Sequence, residues 1–444
     1  MTPSPSRRAF LAATTVSPLV AALTPSPSAA RAVAAEPFDA EALAAAVNHY
    51  AALGEKTSGG AGDNAVGQWL EDALAQMGYA TSRQPFSAPG FTQTAATIDC
   101  EGAQATLIPQ APVVPTGASG LVAPIIAYPD WQAPPTAVCG AIAMIMLPIG
   151  RWSSLLQPGI QEPLRAALTA GASGVVLVTQ NAAGVAAALN APAIGPASFD
   201  RPVAIIGGHA AQPFLKLSGR TARLVIAGEV AARPAFNIIG RMERGGSKRW
   251  LVVSTPRSGW FGCAAERGPG VAIWLALARW AALAPLDVNL AFLSSSGHEY
   301  ENLGSAHMLD GEVPAPADTA LWLHLGAGFA ARDWHEAGAG LLPLPSADPQ
   351  RYLVATRPLL PRAQSAFKGL AGLEAAYPAE SGTAGELTGI IKAGYPAAVG
   401  LFGAHRYHHC REDDMRCVVP PPIAAIAKAA RTLIEGALAQ QAPA

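Results

Sequence analysis

Apolar residues recur at three- and four-residue intervals from Asp39 onward, with Leu43, Val47 and Tyr50 on one face and Val66, Leu70, Leu74 and Met77 on another before Gly78. That period predicts two amphipathic helices within 39–85. The Ser58-Gly59-Gly60-Ala61-Gly62 run between them reads as a turn. With no strand before it and no Lys-Ser/Thr ending, it is a poor phosphate cradle. From about Cys100 to Arg233 the pattern shifts to short continuous apolar runs, clearest over 142–147 and 175–178, with a helix at 164–170 between them that Gly171 ends. Beyond Phe236, strands predicted over 250–254, 288–294, 320–325 and 397–402 alternate with helical stretches, notably 271–283, and 420–439 reads as a closing helix. Strands that are apolar throughout and separated by helices belong to a mostly parallel mixed sheet flanked by helices. The fold class is therefore α/β, with a smaller α/β unit inserted.

Composition narrows the function. Hydrophobic residues make up 50% of the 444 positions and the formal net charge is -1, so a large core is affordable and nothing points to nucleic acid. After the first 35 residues no apolar run reaches the roughly 18 to 20 residues that a bilayer crossing needs, so no membrane span is expected. The N-terminus reads as an address: Ser6-Arg7-Arg8-Ala9-Phe10-Leu11 opens a mildly apolar stretch, and Ala30-Arg31-Ala32 offers a small-residue cleavage site. We expect a twin-arginine signal peptide over 1–32 and a periplasmic or secreted protein. Five cysteines match no C-x-x-C pattern; Cys410 and Cys417 are equally compatible with a loop disulfide and with two buried thiols.

In open α/β sheets ligands bind beyond the carboxyl ends of the strands. Polar residues cluster at those positions: Thr255 and Arg257, His298 and Glu299, His324, and His405, His408 and His409, with Glu266 just before a helix. This mixture of carboxylates and imidazoles is what hydrolytic zinc requires. Taken singly, His324 within an apolar strand reads as a hydrogen-bonded core residue before a ligand. Glu266 is balanced between a ligand and an ion pair with Arg257 or Arg267. His409 has a spaced motif around it, in which His408 can exchange roles with it, and Glu299 in its G-H-E context is poorly explained as a solvated face. No G-x-S-x-G elbow, Walker motif or dinucleotide fingerprint is present.

Two resemblances add to this reading. "GAIAMIMLPIG" followed by "LRAALTAGASGVVLVTQ" is similar to the protease-associated domain, which implies an inserted lid-type domain over 101–235 between the 36–100 and 236–440 parts of a peptidase-like domain. In order and spacing, "STPRSG", "CAAERGPGVA", "HEYENLGS", "LWLHLG" and "YHHCREDDMRCV" resemble the co-catalytic zinc aminopeptidases, the family of bacterial leucyl aminopeptidases, aminopeptidase Y and the glutamate carboxypeptidase II ectodomain. Carried over, the family's first histidine falls on Thr255, its supporting aspartate on Arg257, the bridging carboxylate on Glu266, the catalytic base on His298, the paired ligand on Glu299, the later aspartate on His324 and the last histidine on His409. The family's S-D-H reads Gly385-Glu386-Leu387. One zinc position, Thr255, Glu266 and His324 beside Arg257, lacks the usual ligands. The other, Glu266, Glu299 and His409, keeps an O, O, N set, an arrangement similar to the single-zinc glutaminyl cyclases. The resemblance thus implies zinc, one ion or none, and a peptide or small amide substrate, with His298 handling a proton. The alternative is an inactive peptidase-fold binding protein in which Arg257 replaces a metal and pairs with Glu266.

Overall fold

The computed structural model describes residues 36–128, 138–193, 199–311, 313–338 and 340–439. The expected signal peptide lies outside them. Within them, Leu43, Val47 and Tyr50 are buried along the helix Ala40–Ala52, and Val66, Leu70 and Leu74 along Ala61–Gln76, as the periodicity predicts. The helical reading runs too far, however. Gly78 takes the left-handed backbone (φ 89°) that ends the second helix, and Ala80–Ala88 is a strand.

Eight strands form the principal sheet, in the order Ala80–Ala88, Arg233–Met242, Asn289–Ser295, Trp250–Pro256, Thr319–Leu325, Ala398–Gly403, Arg351–Ala355, Ala376–Pro378. The four central strands are mutually parallel, while Arg233–Met242 and Arg351–Ala355 pair antiparallel with them, so the sheet is mixed. Strand alternation divides the central residues between two cores. Leu251, Val253, Leu321 and Leu323 face a large cluster containing Tyr50, Trp274 and Ile426, contributed by the helices Ala40–Ala52, Gly268–Leu283 and Pro420–Ala439. Val252 and Trp322 face Met308, Leu387 and Ile390 on the opposite side. Burial on both faces explains why the strands read as unbroken apolar runs.

A second eight-stranded sheet, ordered Ala103–Thr106, Phe91–Cys100, Thr221–Val230, Leu121–Tyr128, Ile142–Ile149, Gly174–Gln180, Val203–Gly207, Ile108–Pro109, is formed wholly by chain between Ala88 and Arg233. It has its own apolar clusters, around Ile145, Leu177 and Ile205 and around Ile142, Val176 and Leu224. Phe91–Cys100 pairs with Thr221–Val230 in this sheet. Among the described residues no helix is long and apolar enough to cross a membrane.

Candidate metal centre

The central parallel strands end together at Pro256, Ser295, Leu325 and Gly403, and the turns that follow converge. Glu266 precedes the helix Gly268–Leu283. Its backbone N–H and that of Ala265 donate to the Asp413 carboxylate at 3.0 and 2.9 Å, which ties this turn to the loop after Ala398–Gly403. The same loop delivers His408 and His409, whose rings stack at 4.0 Å.

Glu266 Oε1 lies 3.4 Å from His409 Nε2, and Oε2 lies 3.9 Å from His408 Nδ1. The three side chains are buried, and their ligating atoms all fall within 4.8 Å of one another. Neither Glu266 oxygen nor His408 Nδ1 makes a hydrogen bond. Burial alone would raise the Glu266 carboxyl, but Arg267, then His409 and His408, outweigh it and hold the group ionised, well below the usual carboxylate range. His408 is kept neutral, chiefly by burial and then by His409.

His409 has a left-handed backbone (φ 60°), a strained conformation for a non-glycine residue. It is clamped by Ala188 of the second sheet's connections, whose N–H donates to the His409 carbonyl at 2.9 Å and whose carbonyl lies 3.0 Å from His409 Nδ1. A carbonyl only accepts, so Nδ1 carries a hydrogen and Nε2 is the ring nitrogen that faces Glu266. A ring N–H held by a backbone carbonyl is the usual support of a metal-binding histidine, with the other ring nitrogen turned to the ion. These donors fit one divalent ion bound by Glu266, His408 and His409.

The remaining sequence candidates are placed differently. Glu299 is not drawn into this trio: its carboxylate accepts the Ser58 N–H at 2.5 Å and the Ser258 hydroxyl at 2.8 Å, and burial pushes its pKa up to about 7. The expected Glu266, Glu299, His409 set is thus replaced by one containing His408, because Glu299 is held by two neutral donors. Thr255 donates its hydroxyl to the Leu325 carbonyl at 2.9 Å. His324 Nδ1 meets Ser254 Oγ at 2.9 Å, an oxygen that also accepts Trp322 Nε1–H, and burial holds His324 down to about 4. Thr255, Glu266 and His324 therefore form no donor set.

Arg257 does not pair with Glu266. Its guanidinium lies 3.0 Å from Asp63 Oδ1 and donates to the Phe236 and Ser294 carbonyls, wholly buried. The cation beside Glu266 is Arg267, with Nη2 2.8 Å from Oε1. Asp63 escaped the sequence reading, although it sits on the stripe of Val66, Leu70 and Leu74, where an acid requires a buried partner. Ser58, in the glycine-rich turn, and Ser258 gave no signal of contact with Glu299.

His298 and Glu386 do come together. His298 Nδ1 lies 3.6 Å from Glu386 Oε1, which also accepts the Ser295 hydroxyl at 2.6 Å. Burial and then Arg267 lower the His298 pKa, opposed by Glu386, so the imidazole is neutral near pH 7. His298, His408 and His409 line a cleft of about 420 Å³, which Ser153, Ser154 and Asn190 from the second sheet's connections also line. All five cysteines are free thiols, and Cys410 and Cys417 are buried.

A mixed sheet with helices on both faces and polar groups gathered at the ends of its parallel strands has the fold of the zinc aminopeptidases. The structure is similar to a zinc aminopeptidase from Bacillus subtilis (TM-score 0.70, 17% identity, covering 92% of this chain and 97% of that one). It is also similar to a peptidase M28 precursor from Shewanella amazonensis SB2B (TM-score 0.67, 17% identity, 91% and 96% covered) and to an aminopeptidase from Aneurinibacillus sp. strain AM-1 (TM-score 0.62, 16% identity, 90% and 94% covered). No family model and no curated protein matches the chain.

Proposed function

We propose that this protein is an exported, metal-dependent hydrolase of aminopeptidase type with a single ion, held by Glu266, His408 and His409. The observation that carries this reading is the convergence of three buried donors, two of them without hydrogen bonds, beside a cleft that His408 and His409 line. Glu266, His408 and His409 would hold the ion, and zinc in that position would supply Lewis-acid polarisation of a carbonyl and a water of near-neutral pKa. The chain's own residues supply the rest. Ala188 orients His409, Asp413 fixes the backbone of Glu266, and the Glu386 carboxylate, 3.6 Å from His298 Nδ1, favours the hydrogen on that nitrogen, leaving Nε2 to take a proton in the cleft. We read the second sheet as a protease-associated insert covering a peptide or small amide substrate, and the N-terminus as a twin-arginine export signal.

The test is elemental analysis of protein purified without chelators, paired with hydrolysis of short peptides that have free amino termini. About one zinc per chain is expected, with metal and turnover both lost in His409→Ala. Metal-free protein without turnover would overturn the reading. One observation favours a second reading, that of a binding protein: the Arg267 guanidinium already stands at Glu266 and neutralises it without a metal. In that form Arg267, and not Arg257, replaces the ion.

A further inference from the structure

The loop after Ala398–Gly403 carries a second donor set, none of whose members is a ligand in the proposed hydrolytic site. The ligating atoms of His405, Asp413 and Cys417 lie within 4.8 Å of one another, and all three residues are buried. His405 is wholly enclosed, yet neither of its ring nitrogens makes a hydrogen bond, and Nε2 is 3.4 Å from Asp413 Oδ2. A buried imidazole without partners is rare, because water would satisfy both nitrogens in the unfolded chain. Cys417 makes a weak S–H contact with the Glu412 carbonyl at 3.5 Å.

We propose that His405, Asp413 and Cys417 bind a second, thiophilic divalent cation of the zinc or cobalt type. Imidazole, carboxylate and thiolate together select such ions over magnesium or calcium. A tetrahedral ion with ligand distances of about 2.0–2.3 Å needs donor atoms roughly 3.3–3.8 Å apart, an approach that side-chain rotation can supply from the observed spacing. Binding exchanges the Cys417 S–H bond for a metal–sulfur bond and releases the proton to solvent. Asp413 also accepts the N–H groups of Ala265 and Glu266. An ion on Asp413 therefore fixes the turn that presents Glu266 and orders the loop bearing His408 and His409.

The experiment is titration of the chelator-stripped full chain with cobalt(II) alone, read by thiolate-to-cobalt charge-transfer absorption, which needs no turnover and which an O, N, N site does not produce. In a Glu266→Gln/His409→Ala variant, lacking the first donor set, the band is expected to saturate at about one cobalt per chain. Cys417→Ser is expected to abolish it, His405→Ala to weaken cobalt binding at least about tenfold, and Cys410→Ser to leave it unchanged. Absence of the band in the wild-type chain at saturating cobalt would overturn the proposal irrespective of how any variant folds. Its persistence in Cys417→Ser would do the same. Failure of the hydrolytic reading alone would leave the band in place.

Discussion

Arg267 Nη2 lies 2.8 Å from Glu266 Oε1, yet neither Glu266 oxygen nor either Arg267 Nη makes a hydrogen bond, because the two groups meet out of alignment in a fully buried setting, the guanidinium being anchored through Nε–H to the Ser258 carbonyl at 3.0 Å. The contact neutralises charge without satisfying the carboxylate oxygens or the Nη groups, and it occupies the side of the carboxylate nearest His409. The guanidinium and a bound metal therefore compete for the same oxygens.

Replacing Arg267 with Met should separate these roles. Without metal, Glu266 becomes a buried charge that has lost its guanidinium partner, and stability should fall by about 3–5 kcal/mol, read by urea denaturation. Added zinc should recover most of that loss, and its affinity, measured by competition with a chelating dye, should rise at least about tenfold. Unchanged affinity would show that the guanidinium does not oppose the ion.

Glu299 predicts an unusual pH dependence. Its folded-state pKa is raised to about 7, chiefly by burial, from an unfolded value near 4.5, so the folded state holds the proton more tightly. The associated stability is fully present below about pH 4.5 and is lost as pH rises through about 7. At about 1.4 kcal/mol per unit, the full span is about 3 kcal/mol. Glu299→Gln keeps an acceptor for the Ser58 N–H and a partner for the rotatable Ser258 hydroxyl. In chelator-treated protein it should flatten the dependence between pH 5 and 8 and raise stability at pH 8. Denaturation midpoints at the two pH values decide this; a variant with the parent's slope contradicts the assignment.

What the sequence made legible follows from period and position. Apolar strands followed by polar residues located the sheet edge, and with it Glu266, His298 and His409, whereas Glu386 came only from the family resemblance. Pairing was not legible, because a buried guanidinium reaches several carboxylates and only three-dimensional placement selects one. Arg257 thus finds Asp63, from a helix nearly two hundred positions earlier, and leaves Glu266 to Arg267. Ala188 illustrates a second limit: its clamp on His409 is made by backbone atoms, on which its own side chain has no bearing. Glu299 was drawn toward the metal by motif alone, whereas two hydrogen-bond donors hold it elsewhere.

Arg257 and Asp63 form a buried pair reinforced by backbone carbonyls, and the Phe236 ring lies 4.9 Å from the guanidinium carbon. Arg257→Met strands Asp63, so stability should fall by about 3–5 kcal/mol. Zinc stoichiometry should not change, since Glu266 keeps Arg267, His408 and His409. Arg257→Asp should likewise bind no additional zinc. Extra metal in either variant, measured by elemental analysis, would return Arg257 to the metal centre.

His298 and Glu386 make the most discriminating kinetic prediction, because two neighbours push the imidazole in opposite directions. Burial lowers its pKa first and Arg267 lowers it further, while Glu386 raises it. If neutral His298 accepts the proton, kcat/KM should be flat near pH 7 and fall on an acid limb below the ordinary histidine value of about 6.5. Removing the acid in Glu386→Gln should move that limb to lower pH, and removing the cation in Arg267→Met should move it to higher pH. A residue with only a packing role would produce neither opposed displacement. His298→Ala should lose the limb altogether and lower kcat by roughly 10²–10⁴-fold with little change in KM, because the lost group acts on the reacting proton and not on substrate binding. Full profiles of the three variants, recorded at saturating zinc, test this together. Acid limbs that coincide with the parent's would assign proton transfer to another group.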